Sequence, residues 1–125
     1  MRLLLDTHVY LWWLRDDRKL SAKARKSIAD ADEVYVSSVS IWEASIKSAL
    51  GKLHVDVDAL VTGIAISGFQ ELSMTAKHAA RITTLPGIHR DPFDRMLIAQ
   101  ALCEPLRLLT IDARLREYTD LVEVI

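Results

Sequence analysis

Carboxylate side chains in this sequence recur at the starts of helix-like patterns, some of which follow a short apolar run. Five acidic residues occupy such positions: Asp6, Glu43, Asp91, Asp94 and Asp112. Carboxylates that converge in one cleft repel one another, so their pKa values rise and the cation-free fold is destabilised. Divalent cations relieve this repulsion, and hard oxygen ligands favour Mg²⁺ or Mn²⁺. Such cations activate water and stabilise a leaving oxygen, so acids that converge here would support metal-assisted phosphoryl hydrolysis.

Each of these acids also has a purely structural interpretation as a helix cap. Asp6 and Asp112 are suited to the N-cap position, where a side-chain oxygen accepts a free backbone N–H. The segment Ser40–Glu43 matches a capping box. Asp91 precedes Pro92, a favoured first helical residue, and another acid follows three residues later. Taken singly, the capping role is the commoner one, so the catalytic hypothesis depends on the fold bringing the acids together.

The hydrophobic pattern predicts the elements that must position these acids. The predicted strands are residues 3–5, 34–36, 69–72, 106–111 and 121–124. The predicted helices are residues 7–14, 22–31, 41–50, 58–67, 75–84, 92–103 and 113–118. Four residues of the third helix and the turn after it lie on one apolar stripe, which is the predicted buried side: Trp42, Ile46, Ala49 and Leu53.

The predicted strands are short and are not broken by polar alternation. This is typical of a parallel sheet that is buried on both faces between two layers of helices. The carboxyl ends of parallel strands share one edge of a sheet, and ligand sites form just outside that edge. The acids that follow predicted strands are therefore expected at one common edge.

Composition limits the possible classes of protein. The chain has 125 residues, half of them hydrophobic, which is enough for one domain with a sizeable core. Its net charge of −1 argues against a generally basic nucleic-acid binder but allows a locally basic face. The single cysteine, Cys103, excludes an internal disulfide framework and a cysteine-based zinc site. No apolar run approaches the roughly 20 residues of a membrane span, and no targeting segment is recognised, so a cytoplasmic location is expected.

Four segments in order resemble the four motifs of PIN-domain ribonucleases. They read LLLDTH at residues 3–8, SVSIWEASIK at 38–47, HRDPFDRMLIAQA at 89–101 and LLTID at 108–112. The third is similar to a subgroup with an Asp-Pro-Phe-Asp-Arg signature, and the whole chain most resembles VapC-type toxins of type II toxin–antitoxin systems. One strand followed by an aspartate is weak evidence, whereas four motifs in order within one short chain are specific.

The resemblance implies a three-layer α/β/α fold with a central, mainly parallel sheet, and a single PIN domain over residues 1–125. It implies a Mg²⁺- or Mn²⁺-dependent endoribonuclease that acts as a toxin, forms a homodimer and is held inactive by a small VapB-type antitoxin. By motif, four residues take the catalytic and metal-binding positions: Asp6, Glu43, Asp94 and Asp112.

Other roles follow from the same resemblance. Asp94 takes the third acidic position because it stands ahead of the Leu-Ile-Ala run, and Asp91 is its rival or an outer helper. Thr7 and Thr110 would orient water or a metal ligand through their hydroxyl groups. Three cationic residues flank the proposed cleft and could hold RNA phosphates: Lys47, Arg90 and Arg95.

Histidines and adjacent tryptophans give weaker signals. The four histidines show no metal-ligand spacing, and His8, although close to Asp6, is expected to be a surface or packing residue. Trp12 and Trp13 are adjacent, so one of them is expected outside the core, at a dimer contact or in a groove for an antitoxin helix.

Three other functions remain open at this stage. A metal-dependent phosphohydrolase forming an aspartyl-phosphate at Asp6 would be expected to carry a second aspartate two residues on, where His8 stands. A receiver-like Mg²⁺-binding module would share the acidic cleft without a role for Glu43. A degenerate binding protein would not need the full set of acids.

Overall fold

Short apolar runs form the central strands β1 and β4, and most of the helices begin at a capping side chain. The computed structural model describes residues 1–125. The strands are β1 Arg2–Leu5, β2 Glu33–Ser37, β3 Gln70–Leu72, β4 Arg107–Thr110 and β5 Val122–Val124. The helices are α1 Thr7–Arg15, α2 Ala22–Asp30, α3 Ser38–Ala49, α4 Val57–Ile66, α5 Ala76–Arg81 and α6 Pro92–Cys103. Two 3₁₀ segments, Ile82–Thr84 and Ala113–Glu117, complete the secondary structure.

The five strands form one parallel sheet in the order β3-β2-β1-β4-β5. Leu4 of β1 lies opposite Tyr35 of β2 on one side and Leu108 of β4 on the other. The chain builds outward from β1 to β3, then crosses to the other side of β1 and builds outward again. The strand order therefore reverses between β1 and β4, which is where open α/β sheets form ligand crevices.

Successive residues of the central strand point into two different cores. Leu3 and Leu5 pack with residues of α1, α2 and α4, whereas Leu4 packs with Leu97 and Ile98 of α6 on the opposite face. All five side chains are completely buried. This arrangement confirms the predicted three-layer α/β/α fold with a parallel sheet. None of the helices combines the length and the apolar character that crossing a membrane requires.

Helix α3 differs most from the prediction. It begins at Ser38, and Ser37 is its N-cap, because the Ser37 side chain accepts the Val39 N–H. The predicted capping box at Ser40–Glu43 is therefore wrong, and both of its end residues lie inside the helix, where they are buried. The predicted apolar stripe is also wrong, since Trp42 is 56% exposed. Polar residues that serve the site occupy the inner face of this helix, so its apolar pattern misidentifies that face.

The adjacent tryptophans of α1 are partly buried in the same core. Trp12 and Trp13 are both half-buried and both pack against it. Trp13 contacts the Phe69 ring, 5.4 Å between centroids, and its indole N–H donates to Ser67 Oγ over 3.2 Å. Neither ring is fully buried, so the expected contact of this stretch with a second copy or an antitoxin helix stays a prediction.

Candidate active site

A cavity of about 160 Å³ opens at the carboxyl edge of the sheet, beside the ends of β1 and β4. The residues that line it are Asp6, Thr7, His8, Glu43, Lys47, Asp91, Asp94, Ile111 and Asp112. All five acids that the sequence singled out thus lie around one cavity. We call this cavity, with its lining residues, the acidic cleft.

Asp6 lies at the end of β1 and also caps α1. Its Oδ1 accepts the Val9 N–H over 2.9 Å, and its Oδ2 accepts the Thr110 hydroxyl over 2.5 Å. The residue is 5% exposed, and burial raises its pKa above the ordinary value, although the Thr110 hydrogen bond opposes this rise. Asp6 is therefore a cap and a cleft residue at once, so the two interpretations of its sequence position do not exclude each other.

Glu43 reaches the cleft from the inner face of α3. Its Oε1 accepts the Thr7 hydroxyl over 2.6 Å, and its Oε2 accepts the Lys47 ammonium over 2.6 Å. Ser40 Oγ lies 2.9 Å from Thr7 Oγ1 and extends this buried contact. The hydrogen bond to Glu43 raises the pKa of Lys47. The carboxylate is thus held at both oxygens.

Asp91 and Asp94 both begin α6, but they have different environments. Asp91 is the N-cap, and its Oδ1 accepts the N–H groups of Phe93 and Asp94 over 2.8 and 3.1 Å. Asp94 lies in the first turn and faces the cleft. Burial, followed by repulsion from Asp91, Asp6 and Glu43, raises its pKa to about 7. Asp94 is therefore the acid on which the crowded charge of the cleft acts most clearly.

Asp112 follows β4 and caps the 3₁₀ segment Ala113–Glu117. Arg114 grips its carboxylate, with Nε 3.1 Å from Oδ1 and Nη2 2.9 Å from Oδ2. This ion pair, opposed by partial burial, lowers the pKa of Asp112 to about 2. Sequence reasoning did not identify Arg114, although an arginine two residues after a capping aspartate is within reach of it.

His89 is a second residue that sequence reasoning did not assign to the site. Its Nε2 lies 3.1 Å from Asp112 Oδ2 and 3.4 Å from Asp94 Oδ2. Its Nδ1 accepts the Asp91 backbone N–H over 3.2 Å, and Nη2 of Arg114 lies 3.1 Å from its Nε2. Nε2 therefore lies among two carboxylates, which come from α6 and from the end of β4, and the guanidinium of Arg114. The absence of metal-ligand spacing in the sequence is no guide to this contact, which depends on the loop before α6.

The donor set of the cleft fits a hard divalent cation. Ligand atoms of His89, Asp94 and Asp112 lie within 4.8 Å of one another, a spacing that one ion could bridge. The carboxylates supply the hard oxygen ligands of this group, and His89 lies in contact with both of them. Lys47 is the one Lys or Arg side chain in the cleft lining, against five acids. The excess negative charge and the oxygen donors match Mg²⁺ or Mn²⁺ rather than a softer metal.

The three cationic residues proposed to hold phosphates do not lie together. Lys47 lines the acidic cleft and is paired with Glu43. Arg95 instead holds the loop before α6, since its Nη1 donates to the Pro86 carbonyl over 2.9 Å and lies 3.1 Å from Tyr118 Oη. Arg90 and Arg95 both line a neighbouring cavity. His8, the remaining histidine near the site, is exposed at the cleft.

Comparison with known proteins agrees with this architecture. The PIN domain family model matches residues 3–121. Ribonuclease VapC22 of Mycobacterium tuberculosis is 32% identical over 124 residues, which cover 93% of this chain and 91% of that protein.

Two solved structures share the fold at low sequence identity. VapBC2 from Rickettsia felis, bound to a DNA fragment from its promoter, matches with a TM-score of 0.75 at 16% identity, covering 99% of this chain and 98% of the other. A toxin–antitoxin complex from Klebsiella pneumoniae matches with a TM-score of 0.67 at 18% identity, covering 98% and 96%. With a family model that spans nearly all of its length and a relative that shares about a third of its residues, the chain belongs to the PIN-domain family.

Proposed function

We propose that this protein is a divalent-metal-dependent endoribonuclease that acts as the toxin of a type II toxin–antitoxin pair. The chain is a nuclease, an enzyme that hydrolyses phosphodiester bonds, because it belongs to the PIN-domain family and is 32% identical in sequence to Ribonuclease VapC22. One observation carries the rest of the proposal: five carboxylates surround a single cavity at the carboxyl edge of the sheet. RNA as substrate and Mg²⁺ or Mn²⁺ as the ion are parts of the proposal.

The residues proposed to hold the ion are Asp6, Glu43, Asp94 and Asp112. A bound divalent cation supplies Lewis acidity, which activates water and offsets negative charge on the reacting phosphate. The chain supplies fixed ligands, because Thr110 holds Asp6 and Thr7 holds Glu43 by short hydrogen bonds. Asp94 offers a carboxylate oxygen close to the ligand atoms of Asp112 and His89, which favours Asp94 as the third acid and leaves Asp91 as a helper.

Other side chains position the ligands and balance their charge. His89 and Arg114 orient the Asp112 carboxylate from two directions. Lys47 offsets the charge of Glu43 at the cleft wall, where it is also placed to meet a phosphate. In the proposed reaction the water oxygen bonds to phosphorus and the bond to the 3′ oxygen breaks. The products therefore carry a 5′-phosphate and a 3′-hydroxyl.

The geometry disfavours a phosphohydrolase that forms an aspartyl-phosphate. The position two residues after Asp6 holds His8, exposed at the cleft, in place of the second aspartate that such an enzyme would carry. The cation of the cleft, Lys47, lies one helical turn after Glu43 rather than after a later strand. A receiver-like module likewise leaves the buried Glu43 without a role, so the nuclease is the better proposal.

We further propose that a VapB-type antitoxin restrains the enzyme. Its expected location is the cytoplasm, where its RNA substrate is found. We also propose that residues 1–125 act as a single PIN domain and that the chain forms a homodimer. The identity to Ribonuclease VapC22 and the fold shared with VapBC2 from Rickettsia felis support the antitoxin. Co-expression with the product of a short neighbouring reading frame tests the antitoxin, and sedimentation analysis tests the dimer. A chain that stays monomeric and is indifferent to that product would contradict these assignments.

The decisive experiment measures RNA cleavage by antitoxin-free protein in Mg²⁺ or Mn²⁺ and then in EDTA. We expect cleavage that EDTA abolishes and products with 5′-phosphate ends. Asp6→Asn should lose most activity while it keeps the cap, because asparagine also caps helices well. Asp56→Asn is the matched control, since Asp56 caps α4 away from the cleft. Cleavage that survives EDTA, cyclic-phosphate ends, or full activity of Asp6→Asn would refute the proposal.

A further inference from the structure

A second cavity, of about 370 Å³, lies beside the acidic cleft and has a different character. Its apolar wall is formed by Trp42, Met74, Ile82, Pro92 and Met96. Its charged lining residues are Arg90 and Arg95, and no carboxylate lines it. We call it the aromatic cavity.

Trp42 is an aromatic residue that packs in neither of the two hydrophobic cores. Its side chain is 56% exposed, more than any other aromatic residue of the chain. It is nevertheless held in place, because it packs edge-to-face on Phe93 with 5.2 Å between ring centroids and 76° between ring planes. A large exposed ring with a fixed orientation is suited to stacking on a planar partner.

Residues around the aromatic cavity are sequence neighbours of residues that line the acidic cleft. Trp42 directly precedes Glu43, and Phe93 directly precedes Asp94, so both members of the aromatic pair adjoin acids of the cleft. Pro92 lines the aromatic cavity and adjoins Asp91, which lines the cleft. The two cavities are therefore lined by adjacent residues of α3 and of the start of α6.

The charge of the aromatic cavity complements a nucleic-acid strand. Arg90 is exposed and forms no salt bridge, and the guanidinium of Arg95 is fixed by the Pro86 carbonyl. Phosphates are repelled by the carboxylates of the cleft and attracted by these two cations. A nucleotide carries a flat apolar base together with a charged phosphate, and this cavity offers both an aromatic wall and cations.

We propose that the aromatic cavity binds one unstacked base of single-stranded RNA next to the cleavage position, with Trp42 stacking on the base and Arg90 contacting a phosphate. This inference rests on the proposed ribonuclease function and deepens it. Bases in an RNA duplex are stacked on each other and are not free to meet a protein ring. The enzyme should therefore act on single-stranded segments.

A second copy of the chain is a poorer occupant of the aromatic cavity. A two-fold contact sets the same patch of both copies against each other, so it must be self-complementary. Here it would bring Arg90 and Arg95 of one copy toward the same two cations of the other, with no acid in the lining to offset them.

The test measures binding of a fluorescein-labelled single-stranded RNA of about twelve nucleotides, enough to span one such site. The protein is the full chain carrying Asp6→Asn, which prevents cleavage, and anisotropy reports the Kd. Adding Trp42→Ala should weaken binding about tenfold or more, as loss of one stacked base does. Trp42→Phe keeps an aromatic ring and should stay within about threefold, whereas Trp42→Leu keeps apolar bulk and should resemble Trp42→Ala. Binding to a duplex of the same length should not differ among the variants.

Two results would overturn the base site. One is an unchanged Kd for Trp42→Ala. The other is a change from dimer to monomer on sedimentation with unaltered RNA affinity per chain, which would make the cavity a contact between copies. Cleavage assays of variants with Asp6 intact separate this proposal from the nuclease itself. If the unsubstituted protein cuts RNA and Trp42→Ala cuts it with the same KM, the base site alone is refuted. If binding depends on Trp42 but no RNA is cut, the nuclease proposal alone fails.

Discussion

Replacing Asp94 with asparagine should stabilise the metal-free protein at neutral and alkaline pH. The carboxyl of Asp94 has its pKa raised from 3.8 to about 7, by burial first and then by repulsion from Asp91, Asp6 and Glu43. A shift of about three pKa units corresponds to about 4 kcal/mol against the charged form. Its side chain is 23% exposed, so solvent screening reduces the expected penalty to about 2 kcal/mol. Asparagine has nearly the same shape and carries no charge.

The sign of the pH dependence follows from the two pKa values. The unfolded chain ionises Asp94 near its ordinary 3.8, whereas the folded chain holds the proton until about 7. Between these values the folded state binds more protons, so its stability falls as pH rises. The penalty is complete above about pH 7 and disappears below about pH 4. The advantage of Asp94→Asn should therefore grow from about pH 4 to about pH 7 and then stay constant.

Urea unfolding in EDTA at a series of pH values measures this advantage directly. About 2 kcal/mol corresponds to roughly 8 °C in Tm for a chain of this size. Asp58→Asn is the matched control, because Asp58 also lies in the first turn of a helix but is exposed and does not line the acidic cleft. It should be neutral or slightly destabilising at every pH. In millimolar Mg²⁺ the order should reverse, since the ion stabilises the parent more than the variant. An Asp94→Asn protein no more stable than the parent at about pH 8 would refute the reasoning.

Three further substitutions test how the cleft is held. Thr110→Val removes the buried hydroxyl that donates to Asp6 and should cost about 1–2 kcal/mol in urea unfolding, with a loss of nuclease activity; an unchanged activity would show that this hydrogen bond does not position the carboxylate. His89→Ala should lower kcat/KM about 10- to 100-fold, whereas His89→Gln, which keeps a polar side chain beside Asp112 and Asp94, should lose less; equal losses would show that polar contact at this position does not position the acids. Arg114→Gln removes the partner that holds the pKa of Asp112 at about 2, so carboxyl NMR titration should show that pKa closer to its ordinary value. The parent gains stability from this ion pair above about pH 4 and loses it as pH falls toward 2, and the variant should lack this loss. An unmoved titration would show that Arg114 does not cause the low pKa of Asp112.

Much of this fold could be predicted from local sequence features, namely apolar runs and helix caps. Runs such as Leu3–Leu5 form strands because their uninterrupted apolar residues can be buried on both faces of a sheet. Ser21 and Asp91 begin helices at the predicted residues, since a cap satisfies backbone N–H groups only a few residues away. The positions of Asp6 and Asp112 follow from these same rules. Each acid ends a parallel strand, and parallel strands bring their carboxyl ends to one edge.

Tertiary structure decided the features that depend on helix phase and on contacts between distant segments. Glu43 faces the cleft and Trp42 faces outward because Ser40 and Glu43 pack against Thr7 of α1, and successive residues of a helix point about 100° apart. His89 meets Asp112 across 23 residues of sequence, and Thr110 meets Asp6 across 104. No local pattern encodes such contacts, because they arise only when the two cores have packed and set the elements against one another. The acids at the strand ends could therefore be read from the sequence, whereas the side chains that hold and surround them were determined by the packed fold.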